Sequence, residues 1–301
     1  MKVALTGSSG LIGTALVPAL RADGHEVLRL VRRTPRTADE HRWAPDHRRI
    51  DRSLLADVDA VVNLAGVGVG DHRWTASYQR QIVASRVDST ATVSQALADA
   101  ATAEPGRPRV LLSASGVGFY GDTGNAPIDE SAPSGDDFLA DVCRQWEAAT
   151  GPAATAGVRV ALLRTGLVLA GGGMLGRLRP LFALGLGGKL GSGEQYWPWI
   201  SVRDEVDAIR FLLTSDVSGP VNLTGPSPVT NAEFTLALGR LLHRPAVLAV
   251  PGPALSLVLG DFARVGVLAG QRAMPVALTA AGFQHTHREL GPALQAALSS
   301  H

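Results

Sequence analysis

The chain has 301 residues, of which 46% are hydrophobic and 18% charged, with 28 basic residues against 27 acidic ones. This length and apolar content can bury a sizeable core plus an appended lobe, which excludes a disordered chain and a small stapled scaffold. The net charge of +1 argues against nucleic acid as a partner, because affinity for a phosphate backbone comes from accumulated basic charge.

The cysteine content and the apolar stretches indicate the compartment. A single cysteine cannot form an internal disulfide, which fits a reducing environment. The first residues lead straight into a strand pattern, without the basic and apolar regions of a secretory signal. The most apolar later stretch, 245–270, is broken by prolines and charges and falls short of the roughly 20 apolar residues of a membrane span. We therefore expect a cytoplasmic protein without a membrane partner.

Strand and helix patterns alternate along the first half of the chain. The predicted strands are Lys2–Leu5, Glu26–Val31, Val58–Leu64, Arg109–Ser113 and Arg159–Leu163. Helical spacing follows the first strand at 12–21, and a long helical pattern spans 74–100. Such alternation is typical of a parallel sheet. The predicted fold class is therefore α/β, with a Rossmann-type doubly wound parallel sheet over residues 1–168. Whether later segments add strands to this sheet is left open by the sequence.

The remaining chain, 169–301, predicts a smaller mixed α/β lobe on the substrate side. Its predicted elements are helices at 175–184, 204–213 and 231–242 and strands at 221–223 and 247–250. The glycine-rich stretch 185–193, with Gln195, Tyr196, Trp197 and Trp199 after it, either lines a substrate cleft or packs between domains. Arg272 has two open interpretations as well, since it either binds an anionic substrate or caps a helix.

Three glycines lie between the first strand and the first helix. Gly7 permits a tight turn, Gly10 lets backbone approach a pyrophosphate, and Gly13 lets the helix pack close to the strand. The N–H groups at the helix N-terminus would then bind the phosphates. A structural turn without a ligand is the alternative. The predicted phosphate-binding residues are Gly7, Ser9, Gly10, Leu11, Ile12 and Gly13.

The end of the second strand bears on which dinucleotide binds. An acidic residue there normally binds the ribose hydroxyls of NAD, whereas an arginine accommodates the 2′-phosphate of NADP. Here the strand ends in Arg32 and Arg33, while Asp39 and Glu40 come several residues later. Two guanidiniums can pair with a phosphate dianion. The sequence therefore predicts NADP(H), and the alternative is a pair of solvated surface arginines.

Several motifs in combination resemble a known family. They are the glycine turn, Asn63-Leu64-Ala65-Gly66, Arg73-Trp74 through Ser85-Arg86, Ser113-Ala114-Ser115 before Gly118-Phe119-Tyr120-Gly121, Leu163-Arg164-Thr165-Gly166, Trp199–Asp204 and Gly270–Pro275. Together they resemble the extended short-chain dehydrogenase/reductases, and more narrowly their atypical epimerase family subgroup, whose members end in a domain of unknown function.

The resemblance implies a Rossmann domain that binds NADP(H) and acts on a small carbonyl or sugar-like substrate. For Arg86, which lies on a polar flank of an otherwise apolar helix, a solvent-facing position is the alternative. The further cofactor contacts that the resemblance implies are Leu64, Ala65, Gly66, Gln81, Arg86 and Val168.

The catalytic residues that the resemblance implies are incomplete. The family pairs a Tyr-x-x-x-Lys helix with a serine on the preceding strand, and the lysine lowers the tyrosine pKa. Ser115 matches the serine, but Leu139 and Cys143 stand where the tyrosine and lysine would be, and neither can replace them. Tyr120 is then a candidate proton donor, with loop packing as the alternative. Cys143 is interpreted as an inert core residue.

Two functions follow from different classes. The first is an NADP(H)-dependent oxidoreductase or epimerase in which Ser115 polarises a carbonyl, assisted by Tyr120, Asp122, Arg73 or Arg203. The second is a catalytically silent NADP(H)-binding regulatory or sensor protein. No motif places a histidine beside a serine or cysteine, and no metal-ligand spacing occurs, so neither hydrolysis nor a metal is predicted. The substrate is expected to be a small molecule, and the protein a monomer or a homodimer.

Overall fold

The structure is a computed structural model that describes residues 1–299. The strands are β1 Lys2–Thr6, β2 Glu26–Val31, β3 Glu40–Arg42, β4 Ala60–Asn63, β5 Val110–Gly116, β6 Pro127–Ile128, β7 Arg159–Thr165, β8 Leu167–Leu169, β9 Gly188–Leu190, β10 Tyr196–Trp197, β11 Trp199–Ser201, β12 Gly219–Leu223, β13 Val229–Thr230, β14 Leu248–Val250 and β15 Arg272–Ala273. The helices are α1 Leu11–Ala22, α2 Ser53–Ala56, α3 Ala76–Ala103, α4 Phe138–Ala148, α5 Gly151–Thr155, α6 Gly173–Ala183, α7 Val202–Thr214, α8 Asn231–Leu241, α9 Gly252–Leu259, α10 Val276–Ala280 and α11 Leu290–Ser299.

Seven strands form one parallel sheet in the order β12-β7-β5-β4-β1-β2-β3. The chain runs outward from β1 through β2 and β3, then crosses back to β4 on the other side of β1. Thr6 at the end of β1 pairs with Leu30 of β2 and with Asn63 of β4, so these strands end at one edge. The predicted doubly wound parallel sheet is confirmed. In such sheets ligands bind outside the carboxyl ends, where the strand order reverses.

Helices cover both faces of this sheet. On one face α1 and α7 bury apolar side chains such as Leu16 and Ile209 against the strands. On the other face Val93 and Leu97 of α3 pack beside Ala153 of α5. Because both faces are covered, the central strands are nearly continuous apolar runs.

The chain returns to the sheet well after residue 168. β12 pairs with β7 and α7 packs on the face that α1 covers, so residues 202–223 complete the sheet layer. The second lobe has its own apolar core around Trp199, Phe234 and Leu238. Within residues 1–299, no helix combines the length and apolar character needed to cross a membrane.

Candidate functional site

The glycine turn lies at the carboxyl edge of the sheet, between β1 and α1. Gly7 has a φ of 67°, and a Cβ placed on it would lie 2.7 Å from the Leu64 carbonyl oxygen. A Cβ on Gly13 would lie 2.3 Å from the Gly7 oxygen, so α1 can start this close to the turn only with glycine there. Gly10 is the N-cap of α1, and the first N–H groups of a helix have no partner within it. The turn is therefore a cradle of backbone donors, with Ser9 exposed on its rim.

A buried hydroxyl holds the next predicted segment against this turn. Thr6 Oγ1 accepts the N–H groups of Leu64 at 3.0 Å and Ala65 at 3.1 Å, and it donates to Asn63 Oδ1 at 2.7 Å. Leu64, Ile12 and Val168 each pack against the apolar core on the α1 face of the sheet. The structure thus brings the predicted residues of three distant segments together at one edge.

Arg86 is buried beside Gly66 without a carboxylate partner among the described residues. The residue is 9% exposed, and its guanidinium donates only to the Ile82 carbonyl, at 3.1 Å. Its Cζ lies 4.9 Å from the centre of the Trp146 ring, and a Cβ on Gly66 would lie 3.2 Å from the same atom. Burial lowers the pKa of this guanidinium, and an uncompensated buried charge is costly. A ligand anion beside Gly66 would relieve that cost.

Gln81, the other predicted contact on α3, is placed differently. It is exposed, and five residues along a helix put it roughly 140° around the axis from Arg86. The structure therefore does not bring Gln81 and Arg86 to the same side of α3.

The two arginines after β2 differ in their partners. Arg33 makes a bidentate pair with Glu40, at 2.6 and 2.7 Å, and this contact lowers the pKa of Glu40 to about 2. Asp39 is engaged by Arg29 in the same way. Arg32 is exposed, and no described residue accepts a hydrogen bond from it. The guanidinium pair expected from the sequence is therefore a single free guanidinium, because the charge of Arg33 is balanced by Glu40.

Ser115, at the end of β5, is part of a buried ionic network. Its Oγ donates to Glu147 Oε1 at 2.7 Å, while both oxygens of Glu147 accept from Arg164 at 2.9 Å. A carboxylate held in this way only accepts hydrogen bonds, so the serine proton is committed to it. Ser115 then offers a lone pair to a ligand rather than a proton. This arrangement disagrees with the expectation that Ser115 polarises a carbonyl.

Tyr120 belongs to the same network. It is 3% exposed, its hydroxyl donates to Asn222 Oδ1 at 2.7 Å, and it accepts from Arg164 Nη1 at 3.1 Å. Burial raises the pKa of this phenol. Its one proton is directed at Asn222. The geometry therefore favours the packing alternative over the role of proton donor.

Cys143, which stands on α4 where a lysine is expected, is buried and unreactive. Cys143 is buried, its Sγ lies 3.6 Å from the Gly116 carbonyl oxygen, and burial raises the pKa of the thiol to about 11. Leu139, one turn earlier, packs against Gly118, where a Cβ would lie 3.2 Å from its own Cβ. Cys143 thus contacts the end of β5, and Leu139 packs against the loop that follows it.

Residues 3–224 match the NAD dependent epimerase/dehydratase family, and residues 250–297 match a domain of unknown function, DUF1731. The chain belongs to the NAD dependent epimerase/dehydratase family. It is 51% identical over 294 residues to Epimerase family protein Mb2239 of Mycobacterium bovis, covering 97% of this chain and 96% of that protein. The resemblance expected from the motifs is confirmed.

Two solved structures of similar proteins share the fold. Human epimerase family protein SDR39U1 (isoform 2), solved with NADPH, superposes with a TM-score of 0.86 at 34% identity over 99% of both chains. The nucleoside-diphosphate sugar epimerase of Corynebacterium glutamicum gives a TM-score of 0.80 at 36% identity, covering 99% of this chain and 58% of that one.

The residues expected to assist Ser115 make structural contacts, either between the lobe and the sheet or on the surface of the protein. Arg73 donates to the Leu257 carbonyl at 3.3 Å, and Asp122 Oδ1 accepts the Gly270 N–H at 3.2 Å, so both join the lobe to loops of the sheet. Arg203 pairs with Asp207 at 2.5 Å on the surface of α7. Of these, only Asp122 lies on the loop that follows Ser115.

The sequence motifs missed a Ser-His-Asp cluster at the start of α7. His287 Nδ1 lies 2.9 Å from Ser201 Oγ, which donates to Asp204 Oδ2 at 2.8 Å and accepts the Asp204 N–H at 3.0 Å. In a hydrolase the histidine takes the serine proton, whereas here the proton is directed at the aspartate. The cluster instead fixes the segment before α11 to α7. No local pattern could reveal it, since Ser201 and His287 are 86 residues apart.

A second missed residue is Glu205 on α7, which is fully buried. Its Oε1 accepts from Thr165 Oγ1 at 2.9 Å, and its Oε2 has no partner among the described atoms. Burial raises the pKa of this carboxyl to about 8. Glu205 is thus a neutral acid at the α7 face of the sheet.

Proposed function

We propose that this chain binds NADP(H) at the carboxyl edge of its sheet and uses it for hydride transfer to or from a small substrate. The observation that carries the proposal is the cradle at Gly7 and Gly13, where side chains would collide with backbone and where the first N–H groups of α1 have no partner within the helix. The crystal structure of the human relative with NADPH supports it. So does the guanidinium of Arg86, which has no carboxylate partner among the described residues and donates only to the Ile82 carbonyl.

The cradle residues and the ends of β4 and β8 would hold the dinucleotide. The helix N-terminus takes the pyrophosphate, since its N–H groups and its dipole both favour negative charge. Arg86 faces the same edge beside Gly66 and supplies a second positive charge. The proposed contacts are Gly7, Ser9, Gly10, Leu11, Ile12, Gly13, Leu64, Ala65, Gly66, Arg86 and Val168.

Arg32 is the proposed contact for the 2′-phosphate. Arg33 acts indirectly, because its pair with Glu40 fixes the loop after β2 and removes a carboxylate that would repel phosphate. The Arg36 N–H donates to the same carboxylate at 2.7 Å, which folds the loop back toward β3. The preference for NADP(H) over NAD(H) therefore depends on the guanidinium of Arg32 and on the pairing of Arg33 with Glu40, which leaves no free carboxylate nearby.

Once bound, the nicotinamide supplies or accepts a hydride. The part that the chain itself plays is orientation. Ser115 donates its hydroxyl proton in a hydrogen bond to Glu147, so toward a substrate it accepts a hydrogen bond from a hydroxyl group and orients the carbon that bears it. Arg164 keeps Glu147 fixed, so it acts as a positioning residue.

Cofactor titration tests the binding proposal. NADPH and NADH are titrated into wild type, Arg32→Ala and Arg240→Ala, with nicotinamide fluorescence as the signal. We expect NADPH to bind more tightly than NADH, and Arg32→Ala to weaken NADPH about tenfold while NADH is unchanged, as for loss of a charge-assisted hydrogen bond. Arg240 is an equally exposed arginine on α8, so its variant is the control. Equal affinity of wild type for the two cofactors would refute the role of Arg32.

The hydroxyl groups of Ser115 and Tyr120 both donate hydrogen bonds within the protein. This favours a second candidate function, that of an NADP(H)-binding protein without turnover. Neither hydroxyl offers a proton to the cleft while the network with Arg164 is intact. Oxidation of NADPH is therefore followed with aldehydes, ketones, quinones and nucleotide sugars. Turnover with any of them supports the oxidoreductase, whereas intact binding with no oxidation supports the regulatory protein.

A further inference from the structure

The start of α6 contacts the glycine cradle. A Cβ on Gly172 would lie 3.3 Å from Leu11 Cδ1, and a Cβ on Gly173 would lie 3.2 Å from Leu11 Cδ2. Leu11 begins α1 and is one of the proposed dinucleotide contacts. α6 therefore starts within van der Waals contact of the groove proposed for NADP(H). Arg177 follows one helical turn later, about 6 Å along the axis.

Arg177 ties this helix to the β4 loop, residues 64–75, which follows β4 at the carboxyl edge of the sheet. Its Nη1 donates to the Gly70 carbonyl at 2.6 Å, and its Nη2 donates to Asp71 Oδ1 at 2.7 Å. The same loop contains Gly66, a proposed cofactor contact. α6 therefore contacts both groups of residues proposed to hold the dinucleotide, the cradle at its first residues and the β4 loop one turn later.

The β4 loop is fixed in place by other contacts. Trp74 is buried, and its Nε1 donates to the Val69 carbonyl at 2.7 Å. The ring of Phe262 packs against the loop, because a Cβ on Gly70 would lie 3.0 Å from its Cε1. The loop is therefore a rigid anchor for the guanidinium of Arg177.

α6 itself is less firmly packed. Two of its eleven residues, Leu175 and Phe182, are buried. Glycines flank the helix on both sides, and Gly173 and Gly185 have φ angles of 60° and 74°, where glycine is favoured. Moving segments have few buried apolar contacts, and hinges are residues at element ends that absorb changes in φ and ψ. α6 is therefore the side of the Arg177 contact that is able to move.

We propose that α6 is a lid over the dinucleotide groove and that the contact of Arg177 with Gly70 and Asp71 is the latch that holds it closed. This inference rests on the proposed function, because the lid controls access to the same groove. The side chains of Arg177 and Asp71 are 61% and 50% exposed, so the latch is weak enough to open reversibly. Since both partners belong to the protein, the latch slows the entry and the exit of NADPH alike.

Stopped-flow nicotinamide fluorescence tests the inference. Mixing protein with NADPH gives the association rate constant, and mixing the complex with excess NADP⁺ gives the dissociation rate constant. Arg177→Met removes both hydrogen bonds, and we expect both rate constants to rise about fivefold while Kd stays within twofold. Asp71→Asn retains the bond to Gly70 and should raise both rate constants by less. Arg179→Met is the control, because Arg179 is exposed on the same helix and no described residue accepts a hydrogen bond from it.

NADPH titration of wild type separates the two proposals. Failure of wild type to bind NADPH overturns the proposed function and the lid with it, whereas binding with wild-type rate constants in Arg177→Met overturns the lid alone. A rise in dissociation alone, with a weaker Kd, also overturns the lid, since it identifies Arg177 as a direct cofactor contact.

Salt provides a second measurement of the latch. Raising KCl from about 50 mM to about 500 mM should narrow the difference in rate constants between wild type and Arg177→Met, because ions screen an exposed pair. A difference that stays constant would overturn the latch.

Discussion

Glu205 is a buried acid whose ionisation should oppose folding. It is fully buried on α7, with one oxygen hydrogen-bonded to Thr165 and the other without a partner among the described atoms, and its pKa is raised to about 8 from an ordinary value of 4.5. The folded protein therefore keeps this carboxyl protonated at neutral pH, while the unfolded chain releases the proton. Replacement by glutamine keeps the shape and an oxygen acceptor for Thr165, and it removes the titration.

The sign and size of the effect follow from these two pKa values. Because the folded value is the higher one, the stability that Glu205 contributes is complete below about pH 4.5 and is lost as pH rises toward 8. Each unit of pKa difference corresponds to about 1.4 kcal/mol. Between pH 5 and pH 7.5 the free energy of unfolding of wild type should therefore fall by about 3 kcal/mol relative to Glu205→Gln.

Urea unfolding at pH 5, 6 and 7.5 measures this difference, with circular dichroism as the signal. Glu194→Gln is the control, because Glu194 is an exposed glutamate 11 residues before Glu205. We expect the wild-type and control curves to change together with pH while Glu205→Gln changes less. If all three proteins lose stability in parallel, the carboxyl of Glu205 does not have a raised pKa in the folded protein.

Three further substitutions have defined outcomes. Gly13→Ala brings a Cβ to 2.3 Å from the Gly7 oxygen, so it should cost about 2 kcal/mol or more and weaken NADPH at least tenfold; normal NADPH titration would contradict this. Glu147→Gln leaves the buried Arg164 without its carboxylate and should cost about 3 kcal/mol in urea unfolding, and a neutral result would show that the pair is solvated. Cys143→Ala should leave NADPH affinity within twofold, and native wild type should react with a thiol reagent far more slowly than urea-unfolded protein, since the thiol is buried with a pKa of about 11. Rapid labelling of native Cys143 would contradict its assignment to the core.

The strands of the sheet could be predicted because burial on both faces makes them apolar runs. The predicted Glu26–Val31 coincides with β2, and the predicted Arg159–Leu163 ends two residues before β7 does. The glycine turn could be predicted because the spacing of its three glycines reflects steric limits at backbone positions that are close together in the chain. In both cases the cause acts within a few residues, so the pattern is visible locally.

The pairing of polar side chains could not be predicted in the same way. Whether the charge of Arg33 is free or paired depends on the path of the loop that brings Glu40 back to it. The proton of Ser115 is directed by Glu147, which lies 32 residues away on another element. Donor direction depends on the folded distances between such partners, and residue type alone leaves it open.

The return of the chain to its sheet limits how this protein can be divided. A fragment that ends at residue 168 would lack β12 and leave one edge of β7 without a partner strand, a template for association with other chains. It would also expose the apolar residues that Ile209 and Leu212 of α7 now cover. A fragment that extends through residue 224 keeps the edge paired and this face covered. The seven-stranded sheet is therefore complete only with a segment that the chain reaches after it has begun the second lobe.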